Sequence, residues 1–191
     1  QIYDETNKKI KTFQTYKYLN NVTNGTNVYK LTFERYVLTA YFDEIIHAAN
    51  IRLHDMTQRR YTLLRDTEYT GGRGHQGLDL LVFDAYTNKK RSVKTLAGGE
   101  SFMASLALAL GLADIVSSYA GGIQLDTIFI DEGFGSLDPV SLDHAISTLN
   151  DLKSQGRTVG IISHVEELKE RIDAQLEIVK SREGSSIKIH L

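Results

Sequence analysis

The sequence predicts an α/β fold with a largely parallel sheet flanked by helices and a β-hairpin at its end. Three observations predict it. After residue 95 helical segments alternate with short apolar strands, the order that builds parallel sheets. Over about 31–56, Phe33, Tyr36, Val37, Ala40, Tyr41, Ile45, Ala48, Ala49 and Leu53 recur at spacings of three and four, the period of an amphipathic helix. At the end, "QLEIVK" and "IKIHL" alternate on either side of "SREGSS", a hairpin pattern.

The elements follow in order. Ile10, Phe13, Tyr16 and Leu19 suggest a first helix over residues 1–20, broken by "NNVTNGTN". After the long helix, "RYTLLRD" (60–66) and "LDLLVFDAY" (78–86) are rich in β-formers. Thr87-Asn88-Lys89-Lys90 reads as a turn and Arg91–Lys94 as an extended piece. Glu100–Ser118 is apolar nearly all round, which predicts a buried helix. Thr127–Ile130 reads as a buried strand. Asp138 as N-cap and Pro139 at N1 start a helix to Ser154, which Gly156 ends. "RTVGIISH" (157–164) is another apolar strand, and Glu166–Ile172 a brief helix.

Composition narrows the function classes. With 191 residues, 41% hydrophobic and 24% charged, the chain can bury a real core. It has no cysteine, hence no disulfide framework and no thiolate metal site. A net charge of −2 gives no global field to attract nucleic acid. Arg59, Arg60 and Lys89–Arg91 are candidate local contacts, though such charges are more often simply solvated. The apolar stretches read as too short or too interrupted to span a bilayer.

Four short stretches can carry chemistry. "TIFIDE" ends a strand in Asp131 and Glu132. A carboxylate pair at the carboxyl edge of a sheet suits a Mg2+ ligand followed by a residue that orients and deprotonates water. Taken alone, the pattern equally fits a strand that surfaces into solvent. "LAGGE" (96–100) precedes a helix, where backbone N–H groups and the helix dipole can cradle phosphate, or where a tight turn simply ends. "IISHV" sets His164 after a strand, able to donate to a phosphate oxygen or to serve only as a surface polar residue. "GSLD" (135–138) caps the next helix. "GRGHQG" (72–77) matches G-x-G-x-x-G but sits between strands and reads as a connection. No H-E-x-x-H and no G-x-x-x-x-G-K-[ST] occurs.

The order LAGGE, helix, apolar strand plus DE, GSLD, helix, apolar strand plus SH resembles the C-terminal half of an ABC-type ATPase head. Glu100 ending the signature, Asp131 lying 31 positions after it, "FERYVLTAYFDEIIHAANIRL…RRYTLLRD" and "GLDLLVFDAYTNKKRSVKTL" narrow the resemblance to the SbcC family of bacterial SbcCD nuclease subunits. It covers about residues 30–191.

The resemblance implies residues 1–27 as the end of a coiled coil with its connection, and 28–191 as the C-terminal lobe of the head. It implies Asp131 as the Mg2+ ligand, Glu132 acting on water and His164 sensing the γ-phosphate. It implies a signature of Leu96, Ala97, Gly98, Gly99, Glu100 and Ser101 closing over ATP held by a second head, with Ser136, Leu137 and Asp138 as the D-loop. Its partners are the N-terminal lobe that carries the P-loop, a second copy of the head, an SbcD-type nuclease subunit and double-stranded DNA. It implies no membrane contact and a bacterial cytoplasmic, nucleoid-associated setting. Ala97 departs from the serine usual in this signature. Alternatives are an SMC-type chromosome-condensation head and, for the isolated chain, a non-catalytic docking lobe. A transporter ATPase fits less well.

Overall fold

In a computed structural model the chain folds as two compact units, Gln1–Gln124 and Leu125–Leu191. The structure describes residues 2–27, 30–67, 77–121, 125–181 and 184–190. Residues 72–76 of "GRGHQG" lie outside them.

In the first unit, α1 (Ile2–Thr23) runs three residues past its expected end, and Thr23 Oγ1 bonds back to the Leu19 carbonyl. The long helix α2 (Phe33–Met56) begins at Thr32, whose side chain accepts from the Arg35 N–H. Its buried stripe is Thr39, Ile46, Ala49, Leu53 and Met56. β1 (Tyr61–Arg65), β2 (Leu80–Asp84) and β3 (Lys89–Ser92) form an antiparallel sheet in that order, with Leu63 opposite Val82 and Val82 opposite Arg91. Lys89 and Lys90 are therefore strand, not turn, and Val93–Thr95 is a short 3-10 turn rather than extended. Asn50 joins sheet to helix: it donates to the Leu63 carbonyl and accepts from the Leu63 N–H.

Helix α3 (Gly98–Tyr119) packs on α2, burying Met103, Ala104, Leu106, Ala107, Leu110 and Gly111. Two expectations are corrected here. α3 is buried on one face only: Leu112, Val116 and Tyr119 remain exposed. It is also long and apolar enough, by length and composition, to cross a membrane, against the expectation that every apolar stretch is too short or too interrupted. One face lies against α2, and Asp114 pairs with Arg52 at 2.6 Å.

In the second unit, β4 (Thr127–Asp131) and β5 (Thr158–Ile162) pair in parallel, linked by α4 (Pro139–Ser154). α5 (Glu166–Lys169) is a single turn. β6 (Gln175–Ser181) and β7 (Gly184–His190) form the expected hairpin. Phe134, Leu142, Ala145, Leu149, Leu152 and Leu168 are the unit's buried apolar residues.

The largely parallel sheet is corrected to three small sheets, of which only β4–β5 is parallel among the described residues. Parallel neighbours need a long crossover. Only α4 joins two paired strands in that way, whereas a four-residue turn (85–88) joins β2 to β3. The buried reading of Thr127–Ile130 is corrected too. Thr127, Phe129 and Asp131 face solvent, Phe129 being 75% exposed, because a two-stranded sheet packed by α4 leaves its other face open.

Candidate functional site

The acidic centre is built by the β4–β5 pair. Asp131 closes the ladder opposite Ile162, and the Glu132 N–H extends it by donating to the Ile162 carbonyl at 2.8 Å. Glu132 then takes a left-handed backbone, φ 59°, and Gly133 follows at φ 98°. A non-glycine residue in that region is strained, and such strain concentrates at functional sites. The turn swings the Glu132 side chain toward His164, two residues beyond the end of β5. Nδ1 of His164 lies 2.7 Å from Glu132 Oε2. Both side chains are open to solvent, and so is Asp131, which has no side-chain partner among the described residues.

These groups suit a divalent cation of one kind. Among the described residues no three His, Asp or Glu side chains converge. Mg2+ needs no such cage, since it keeps water and takes one or two carboxylates plus substrate phosphate oxygens. The unengaged Asp131 fits that donor set.

"GSLD" lies just beyond. Phe134–Ser136 is a 3-10 turn with the Phe134 ring buried, and Ser136 Oγ donates to the Gly133 carbonyl. Asp138 caps α4: it accepts from the Val140 and Ser141 N–H groups and from Ser141 Oγ at 2.6 Å. The Ser141 hydroxyl and N–H hold the Asp138 carboxyl below its ordinary range.

The glycine-rich stretch belongs to the first unit. Ala97 is the N-cap of α3, and Gly98 and Gly99 occupy its first turn, so the helix begins two residues before Glu100. Their N–H groups are among the unpaired donors of a helix start. Ala97 has no oxygen with which to complete a capping box, and only the half made by Glu100 exists: Oε2 accepts from the Ala97 N–H at 3.1 Å. Glu100 also accepts from the Tyr61 hydroxyl at 2.6 Å. Arg60 and Arg91 each lie 3.6 Å from its oxygens. Burial pushes this carboxyl up, but the Tyr61 hydroxyl, the Ala97 N–H and the two arginines outweigh burial and leave it below the usual range.

Sequence reasoning missed this cluster. Arg60 and Arg91 read as solvated charges, yet Arg60 pairs with the buried Asp84 and stacks 4.6 Å from the Tyr61 ring, and Arg91 donates to the Thr95 carbonyl and hydroxyl. The available signal was the alternation of Tyr61 and Leu63 on one strand face, which marks Tyr61 as inward.

Residues 67–151 match the family described as SbcC/RAD50-like, Walker B motif. The chain is 51% identical over 177 residues to the SbcC subunit of the SbcCD nuclease of Vibrio cholerae serotype O1, and 47% identical over 189 residues to that of Treponema pallidum. These alignments take in 93% and 97% of this chain, which spans 18% of the length of either relative. Among solved structures it resembles an SMC ATPase studied for ATP-driven dimerization, with a TM-score of 0.63 at 13% identity, over 81% of this chain and 88% of that one. It also resembles the Pyrococcus furiosus Smc head with an extended coiled coil, with a TM-score of 0.61 at 10% identity, over 97% of this chain and 43% of that one. Those identities establish a shared fold alone. The lobe is thus a mixed α/β, SMC-like one of helices and small sheets, and the chain is a C-terminal ATPase-head segment of the SbcC type carrying the Walker B motif.

Proposed function

We propose that this chain supplies one half of an ATP-hydrolysing site in an SbcC-type protein whose head drives a DNA nuclease. The observation that carries the proposal is the grouping of Asp131, Glu132 and His164 at the carboxyl edge of one parallel strand pair, with Glu132 and His164 in contact at 2.7 Å. Ligands bind at that edge in open α/β sheets.

Asp131 would hold Mg2+, whose positive charge would offset that of the phosphate oxygens. Glu132 orients the attacking water and takes its proton. In the arrangement described, His164 Nδ1–H donates to Glu132 Oε2, which fixes the carboxylate's position. Nε2 is then an acceptor in the neutral ring and a donor only in the imidazolium. His164 therefore reads a γ-phosphate either as the cation or after leaving Glu132. The first-turn N–H groups of Gly98, Gly99 and Glu100, with Leu96, Ala97 and Ser101 around them, face ATP held by a second head, and Ser136–Asp138 approach that head as a D-loop.

The sequence carries no G-x-x-x-x-G-K-[ST], so the phosphates need a P-loop from an N-terminal lobe. Residues 1–27 belong to the end of a coiled coil in this reading, in keeping with exposed Ile10, Phe13 and Leu19 on α1. The partners are a second head, an SbcD-type nuclease subunit that cuts the DNA, and double-stranded DNA, in a bacterial cytoplasm. Without the N-terminal lobe, the chain is a docking lobe with no turnover. In the full-length protein, Glu132→Gln slows hydrolysis by about 10²–10⁴-fold and leaves ATP binding intact. Near-normal turnover in that variant would sink the reading.

A further inference from the structure

The turn that starts α3 is held from behind by a layer that no motif describes. Tyr61 is 2% exposed, and its backbone stands opposite Asp84 in the β1–β2 ladder. Its hydroxyl donates to Glu100 Oε1 at 2.6 Å. The second oxygen of the same carboxylate accepts from the Ala97 N–H. One rigid chain of bonds thus runs from a buried phenol to the backbone of the residue before the two glycines.

Two cations flank it. Arg60 is oriented by the buried Asp84, with Nη2 3.4 Å from Oδ2, and its guanidinium lies between the Tyr61 and Tyr86 rings, 4.6 Å and 4.8 Å from their centres. Arg91 grips the preceding turn through the Thr95 carbonyl and hydroxyl, at 2.7 Å and 2.8 Å, while its other nitrogen faces Glu100. Glu100 has both oxygens engaged inward, so it is not a free contact for a nucleotide.

We propose that Tyr61, seconded by Arg60 and Arg91, is a positioning residue that sets the Leu96–Glu100 turn through the Glu100 carboxylate, so that the first-turn N–H groups are aimed before a phosphate arrives. The functional part of this proposal rests on the ATP-site reading above. Ala97 sharpens the need for the brace. A serine at the N-cap anchors the turn through its own hydroxyl; alanine cannot, and the Tyr61–Glu100 link is the anchor that remains.

The test uses the full-length protein and Tyr61→Phe, which keeps the buried ring and removes only the hydroxyl. Deuterium uptake is followed in the peptide spanning 93–103 and in one from the middle of α3 as control. The expected result is roughly tenfold faster exchange in the first peptide and unchanged exchange in the control, because opening of the turn loses a bond to a charged group. ATP turnover at low protein concentration is expected to fall about threefold to tenfold and to recover at high concentration, the mark of weakened head-to-head engagement. Unchanged exchange over 93–103, or faster exchange in both peptides, overturns the brace. Faster exchange over 93–103 with unaltered turnover at every concentration overturns its functional part. Glu132→Gln, assayed in parallel, separates the failures: full turnover there refutes the ATP-site reading, while the exchange comparison judges the brace by itself.

Discussion

Ala97 and Glu132 are the two residues at which side-chain chemistry and backbone conformation depend on each other most closely. Ala97 has the extended backbone of an N-cap, φ −67° and ψ 163°, but no side-chain acceptor for the helix it opens. Ala97 stands where the signature that the sequence resembles carries a serine. The structure adds a cost within the chain, since the α3 start lacks one of its caps. Ala97→Ser restores the missing half of the capping box beside Glu100. It is expected to stabilise the fold by about 0.5–2 kcal/mol, read as a higher urea midpoint at unchanged slope. A lower midpoint would show that the turn has no room for the hydroxyl. At Glu132 the left-handed backbone turns the side chain from the strand direction toward His164. Sequence placed both residues beside strand ends. It carried no sign that they touch, because the contact depends on the φ of Glu132 and on the parallel register of β4 and β5.

At the scale of elements, α2 and α3 meet at Gly111. A Cβ built there stands 2.7 Å from the Ala49 backbone N and 2.8 Å from the Ile45 carbonyl oxygen, so the helices touch backbone to backbone. Gly111→Ala improves helix propensity by about 1 kcal/mol. The contact is with backbone atoms that cannot rotate away, and overpacking costs typically about 1–3 kcal/mol. The net expectation is a loss of stability, measured by urea unfolding, and a gain would show that α2 and α3 slide apart freely. The apolar run of α3 predicted burial because composition cannot say which side a partner occupies. With α2 packed along it, one face is covered, and Leu112 and Val116 on the helix are exposed. Helix α4 was legible residue by residue, Pro139–Ser154, since Asp138, Pro139 and Gly156 are local signals that act within one turn. The start of β3 was not legible, because the Thr87–Lys90 stretch looks polar and turn-like. Its strand state is set by pairing with β2: Lys90 lies opposite Phe83 and Lys89 opposite Asp84.

For the molecule as a whole, the buried cluster behind the α3 start makes stability depend on pH at the alkaline end. Burial, then the bond to Glu100, push the Tyr61 phenol up to about 12, against an ordinary value of 10.0. A raised folded value means that the stabilisation is fully present below pH 10 and is lost as pH climbs toward about 12. The thermal midpoint, followed by circular dichroism from about pH 9 to 12, is expected to fall across that window, and more gently in Tyr61→Phe. Equal slopes for the two proteins would show that the phenol ionises as freely in the fold as out of it.

The sequence by itself determined the order of helices and strands after residue 95, the caps of α4, the hairpin, and the ordered motifs that resemble those of an ATPase head. Each of these is encoded in local periodicity, turn chemistry or the spacing of a motif. Only the tertiary structure decided that parallel pairing among the described residues joins two strands, that Phe129 faces outward, that Glu132 meets His164, and that Tyr61, Arg91 and the Asp84-paired Arg60 converge on Glu100. Those are contacts between groups far apart in the chain. Burial, register and the meeting of charges depend on what packs against each face, and neighbouring residues in a sequence do not carry that information.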